Sequence, residues 1–176
     1  YPTQQGFHFE KVEAHSEQLS LQASGDWNLL DDSYRSDFSI MITAESLGEL
    51  MNSMEFSTSL EGGQTVLQFN AWWPGSPAAF ALSRLNGKIE FNVNSGQITN
   101  ASAGSGRLLG LLSIQALPRR LSLDFRDVFD TGFDFDEATG TFEMKNGTAH
   151  TDNVELSSSA ANISLVGSTN LVTRQY

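Results

Sequence analysis

LNGKIEFNVNSGQI, residues 85–98, places Ile89, Phe91 and Val93 at every second position, with Lys88, Glu90, Asn92 and Asn94 between them. A strand turns successive side chains to opposite faces, so this spacing gives one apolar and one polar face. A helix would scatter the same residues around its circumference. Asn86-Gly87 and Asn94-Ser95-Gly96 border the run, and these residue types supply the positive φ that tight hairpin turns need.

Outward from this stretch the same alternation recurs. Upstream it places Phe7 and Phe9; Leu19, Leu21, Ala23 and then Trp27; Phe38, Ile40 and Ile42; Phe56 and Leu60; and Leu67, Phe69, Ala71 and Trp73. Downstream it places Leu121, Leu123 and Phe125; Phe142 and Met144; Val154 and Leu156; and Ile163 and Leu165. Some ten half-apolar strands predict a mainly β, antiparallel protein. Turn signals at 61–63 (EGG), 86–87, 94–96 and 146–147 predict a meander of short connections. Residues 85–98 and 138–151 share a Gly, an alternating strand, a polar Gly turn and a return strand, and 19–29 and 163–172 share a looser unit. Repeated hairpins predict a sheet that lengthens by addition.

Two segments break the alternation. ESLGELMNSM sets Leu47, Leu50, Met51 and Met54 at helical spacing, with Ser46 as N-cap and Glu49 three residues on, so a short helix is expected over 46–54. In AGSGRLLGLLSIQALPRRLSLDF, residues 103–125, the apolar positions from 105 to 117 are too dense for a half-exposed strand, and Pro118 ends the run. A second helix is expected over 105–117. Leu108, Leu109, Leu111, Leu112 and Ala116 form its broad face and Ile114 and Leu117 fall outside it, so it is expected to be enclosed by sheet or to cover an apolar opening.

The 176 residues are about one domain's worth, and a single β-rich domain over 1–176 is expected. With 10 Lys+Arg against 21 Asp+Glu, the formal charge of -11 repels phosphate backbones and anionic lipid headgroups at long range, so nucleic acid is not an expected partner. The absence of Cys excludes disulfides and thiolate metal sites. No run of side chains approaches the roughly 18 apolar residues that span a bilayer as a helix. The chain starts at YPTQQG without Met and stops in mid-pattern at LVTRQY, so it is expected to be a fragment of a longer, repeating protein whose leader or anchor lies elsewhere.

Motifs with chemistry are weak. GSGRLLG, with Gly104, Gly106 and Gly110, spaces its glycines as GxGxxxG and lacks the GK[ST] ending of a phosphate loop. The acidic run 124–140 does not meet the EF-hand pattern, and its interleaved Phe125, Phe129, Phe133 and Phe135 read as a hairpin with a solvated face; no metal is expected. Carboxylates spread over many strands do not make a glycosidase pair. Trp72 and Trp73 leave room for a sugar-binding β-sandwich, provided that one of them stands exposed on a flat face. His8, His15 and His150 have no Ser nucleophile in a GxSxG elbow. No cofactor and no catalytic residue is expected, and the chain is read as a non-enzyme.

The run from Gly106 to Tyr176, with its LLGLLS helix, its LPRRLSLDF exit, its GFDFDEATGTFEMKNGTA hairpins and ISLVGSTNL, closely resembles the C-terminal region of the YhdP family, in the AsmA-like superfamily of Gram-negative bacteria. ASGDW and LQFNAWWPGSPAAFALSRLNGKIEFNVNSGQI fit the pattern more loosely. The resemblance implies a strongly curved antiparallel β-meander in the periplasm, folded like a taco around an apolar groove. It implies a parent anchored in the inner membrane that bridges to the outer membrane, passes phospholipid acyl chains along the groove and supports outer-membrane barrier integrity. Outer-membrane or other envelope proteins are the implied further partners.

The expected groove walls are Phe38, Ile40, Ile42, Leu67, Phe69, Ile89, Phe91, Val93, Leu121, Leu123, Phe125, Phe142 and Met144, with Leu108, Leu109, Leu111, Leu112 and Ile114 on a helix that closes its end. Alternation alone does not separate a groove from a packed core. A structural or protein-interaction β-domain with a dry interior, and the sugar-binding sandwich, stand as the alternatives.

Overall fold

The computed structural model describes residues 2–3, 6–30, 32–53, 60–98, 133–159 and 161–170. They form one nine-stranded antiparallel sheet: β1 Pro2–Thr3, β2 Gly6–His15, β3 Leu19–Leu30, β4 Ser33–Ala44, β5 Leu60–Pro74, β6 Asn86–Ile98, β7 Phe133–Lys145, β8 Thr148–Ser157 and β9 Asn162–Asn170. The strands lie side by side in chain order. This is the mainly β meander that the alternation predicts, and it is a single sheet among the described residues, which the two facing sheets of a sandwich are not.

Among the described residues the strand ends gather at two ends of the sheet. At the first, called the turn end here, Leu30 pairs with Ser33, Asn146-Gly147 joins β7 to β8, and two short 3-10 turns, Pro77–Ala79 and Leu82–Arg84, lead from β5 to β6. At the other, the helix end, β2 turns into β3, β8 turns into β9, and helix α1, Leu47–Ser53, follows β4. The Glu49 N–H donates to Ser46 Oγ at 3.3 Å, so Ser46 caps α1 as its sequence predicts. The helix matches the expectation for 46–54 apart from its ends.

Three of the four expected turns are not turns. Gly62-Gly63, Gly87 and Ser95-Gly96 lie inside β5 and β6, which keep one register from Leu60–Ile98 to Trp72–Asn86 and skip only the Gly63–Ser95 pair. Residues that tolerate positive φ also serve within a strand that continues in register. Ser95 has φ 58°, and opposite it the buried residues of β7 change from Phe133 and Phe135 to Ala138, a slip of one place. Only Asn146-Gly147, at φ 48° and 76°, makes the expected two-residue hairpin. The apparent repeat is therefore unequal: 85–98 ends as one strand, 138–151 as a hairpin. Likewise the acidic run is not a hairpin from Phe133 onward but the single strand β7, with Asp134, Asp136 and Glu137 exposed.

The core is divided between the ends. At the turn end Ala71, Trp73, Leu85, Met144 and Ala149 pack with Phe38, Leu82, Ile89 and Phe142. At the helix end Val93, Phe133, Phe135 and Ala138 pack with Leu47, Phe91, Ile98, Leu156 and Ile163. The expected strand at 55–60, the helix over 105–117 with Leu108, Leu109, Leu111, Leu112 and Ile114, and the strand carrying Leu121, Leu123 and Phe125 lie outside the described residues, save for Leu60 at the start of β5.

Candidate functional site

Strand register puts the apolar positions of β3 to β8 on one face. Ala23, Ile40, Phe69, Ile89 and Phe142 are successive cross-strand partners, and so form one row over five strands. Leu21, Ile42, Leu67 and Phe91 form the next row, ending at Gly140. Leu19, Ala44, Thr65, Val93, Ala138, Leu156 and Ile163 form a third. On the other flank Gly25, Phe38, Ala71, Gly87, Met144 and Ala149 complete the surface.

The ten described members of the expected wall, Phe38, Ile40, Ile42, Leu67, Phe69, Ile89, Phe91, Val93, Phe142 and Met144, thus share one face. Intervening positions face the other way, where the row Gln22, Met41, Gln68, Glu90 and Thr141 is mostly polar.

Burial is uneven over this apolar face. Val93 and Met144, in the two core clusters, are 2% and 4% exposed, whereas Ile40, Ile42, Leu67, Phe69 and Phe91 between them are only half-buried. Side chains in a filled core are closed on all sides. Here the middle of the face keeps accessible apolar surface while its flanks are packed. Phe91 and Phe142 stack at 5.7 Å and 19°, so their rings present a smooth apolar patch.

Aromatic residues extend the face at the turn end, Tyr34 and Phe80 being the two that the alternation did not single out. Phe38 stacks on Trp73 at 5.4 Å, Trp73 meets Phe80 edge-on at 5.3 Å, and Trp27 lies between Phe7 and Tyr34 at 5.6 and 5.1 Å. The Trp73 indole N–H donates to the Ser76 carbonyl at 3.0 Å. Phe133 and Phe135 were legible only as part of an acidic run, and the 3-10 turns that bring in Leu82 and Leu85 only as a Pro/Gly break.

The tryptophan pair forms no flat exposed platform. Trp73 is 4% exposed within a core cluster, and Trp72, on the opposite face, carries the Arg35 guanidinium 4.2 Å over its ring. Sugar stacking needs an uncovered ring, so that alternative loses its support. The histidines are scattered: His8 bonds Asp26 at 2.8 Å and His15 bonds Ser20 at 3.0 Å, on partly or fully exposed strand surface. No group of three or more His, Asp or Glu able to hold a metal occurs among the described residues. No described helix is long and apolar enough to cross a membrane.

A family model described as YhdP protein matches residues 1–176. The chain belongs to the YhdP family. The intermembrane phospholipid transporter YhdP of Escherichia coli (strain K12) is 32% identical over 155 residues, which is 88% of this chain and 12% of that protein. The chain therefore spans about an eighth of the length of its YhdP relative. No solved structure matches it.

Proposed function

We propose that this chain is a non-enzymatic lipid-transfer module whose apolar sheet face takes phospholipid acyl chains. The observation that carries the reading is the continuous apolar face over β3 to β8, packed at its flanks and half-buried in its middle. The name of its E. coli relative, an intermembrane phospholipid transporter, supplies the cargo class. In the parent protein the face would form part of a curved groove in a periplasmic bridge, anchored in the inner membrane, that carries phospholipid towards the outer membrane and supports its barrier.

Scale agrees with this cargo. Five strands at about 4.8 Å spacing make a row of about 19 Å between its first and last strand. One acyl chain occupies half of a hydrocarbon core about 30 Å thick, or about 15 Å. Each CH₂ withdrawn from water on that face is stabilised by about 0.8 kcal/mol without any directional contact. Uniform weak contacts of this kind hold a chain and still let it slide, whereas a few strong polar contacts would pin it.

The test is photo-crosslinking. A benzophenone amino acid at Phe91 or Phe142 should capture lipid in cells, identified by mass spectrometry of the adduct, while the same group at Gln68 or Glu90 on the opposite face should not. Absence of adduct at both apolar positions, or equal capture from both faces, would sink the reading.

A further inference from the structure

A buried indole N–H usually finds an acceptor, and Trp73 has one in the Ser76 carbonyl. Trp27 has none. Its Nε1 is shut off from water, and among the described residues it is the only buried side-chain nitrogen or oxygen without a hydrogen-bond partner. An orphan donor of this kind costs free energy in the folded chain, and an acceptor that reaches it restores the loss.

The surroundings select the acceptor. Trp27 lies on the apolar face of β3, in register with Phe7 on one side and Ser36 on the other. Its ring neighbours Phe7 and Tyr34 stand at the rim, 47% and 50% exposed and outside both core clusters, so they can swing aside without opening the core. The charged side chains next to this row in sequence pair with one another, His8 with Asp26 and Arg35 with Asp37. The row thus offers a neutral donor with no cation beside it, which suits a carbonyl oxygen and not a phosphate.

An apolar path joins this donor to the half-buried rows. Trp27 is four residues along β3 from Ala23, where the five-strand row begins, or about 13 Å. Between them stands Gly25, whose missing side chain is replaced by the Phe38 ring: a Cβ there would lie 2.7 Å from Phe38 Cδ1. Phe9 packs on Phe38 at 5.6 Å and continues the floor. One acyl chain, about 15 Å long, spans the distance.

We propose that the Trp27 indole N–H donates to an ester carbonyl of a bound glycerophospholipid, and so fixes where the glycerol end of the lipid stops on the sheet. This rests on the reading that the apolar face takes acyl chains, and adds to it a residue that tells an acyl ester from an alkyl ether or a plain hydrocarbon. One neutral hydrogen bond registers the lipid without pinning it.

The experiment titrates the full chain, isotope-labelled at nitrogen, with diheptanoylphosphatidylcholine and with its diheptyl ether analogue, which lacks the ester carbonyls. The indole N–H signals are followed by NMR and assigned by single Trp→Phe substitutions. The Trp27 signal should move downfield with the ester lipid and not with the ether, whereas the Trp73 signal, already bonded to Ser76, should not distinguish the two. Trp27→Phe keeps a ring between Phe7 and Tyr34 but removes the donor; it should weaken binding of the ester lipid about fivefold and leave ether binding unchanged. The inference is overturned if the Trp27 signal responds to both lipids alike or to neither, or if Trp27→Phe weakens both equally. Should that variant not fold, the wild-type titration decides alone. Lipid captured at Phe91 together with a silent Trp27 signal overturns this inference and leaves the sheet-face reading standing; no capture at Phe91 or Phe142 removes both.

Discussion

The ring of Phe91 lies against Gly140, its register partner on β7: a Cβ at Gly140 would stand 3.0 Å from Phe91 Cε1 and 2.6 Å from Val154 Cγ2. The glycine is a notch that lets the Phe91 ring lie low on the apolar face. Gly140→Val should lift that ring and destabilise the sheet by about 1–3 kcal/mol, as overpacking does. Val154→Ala in the same chain should recover part of the loss, since the two sites are in contact. Urea midpoints of the two single variants and the double variant measure the coupling; strict additivity would place the strain elsewhere.

Adjacent tryptophans should behave as strangers. Trp73→Ala empties a core site packed by Phe38 and Phe80 and should cost about 3–5 kcal/mol. Trp72→Ala gives up a half-exposed ring and its Arg35 contact, for about 1 kcal/mol. Thermal denaturation of the two variants checks the order.

Asn146 holds φ 48° in the β7–β8 turn. Asn146→Gly should be tolerated, whereas Asn146→Ala should cost about 1 kcal/mol because it keeps the Cβ that resists the left-handed region and loses the short polar side chain that lets Asn adopt it. Denaturant titration distinguishes the two.

Ile40 and Met41 are neighbours in sequence and opposites in space. Ile40→Lys sets a charge in the middle of the apolar face and should strongly reduce lipid capture by a crosslinker at Phe91. Met41→Lys sets the same charge on the polar face, where the native side chain is already 43% exposed, and should leave capture unchanged. Adduct yield, normalised to folded protein, is the measurement.

Which residues share a face was legible because strand period is a property of the chain alone: Ile40, Phe69, Ile89 and Phe142 need only stay in register to line up. Connections were legible only where one local conformation has one use. Asn146-Gly147 makes a turn because β8 returns at once, whereas Gly62-Gly63 and Ser95-Gly96 use the same backbone freedom to bend strands that continue. Trp73 sits on the apolar face at an alternating position, but its burial depends on Leu82 and Leu85, brought over by 3-10 turns that leave no periodic signal. Nor does alternation say how far a face is covered. The packed flanks and the half-buried middle arise from contacts between distant segments, such as Leu47 of α1 with Val93 and its neighbours.

Each strand from β1 to β9 hydrogen-bonds only to the strands before and after it in the chain. Every pairing but one can therefore form as soon as two consecutive strands are free of the machinery that delivers them, without waiting for the C-terminus. Local pairing of this kind favours rapid assembly and leaves each unfinished edge exposed only until its successor arrives. The exception is β6 with β7, which must close across residues 99–132. That closure is the step at which a chain emerging in order has to wait, with the edge of β6 open, and so the point at which a misplaced strand would do most harm.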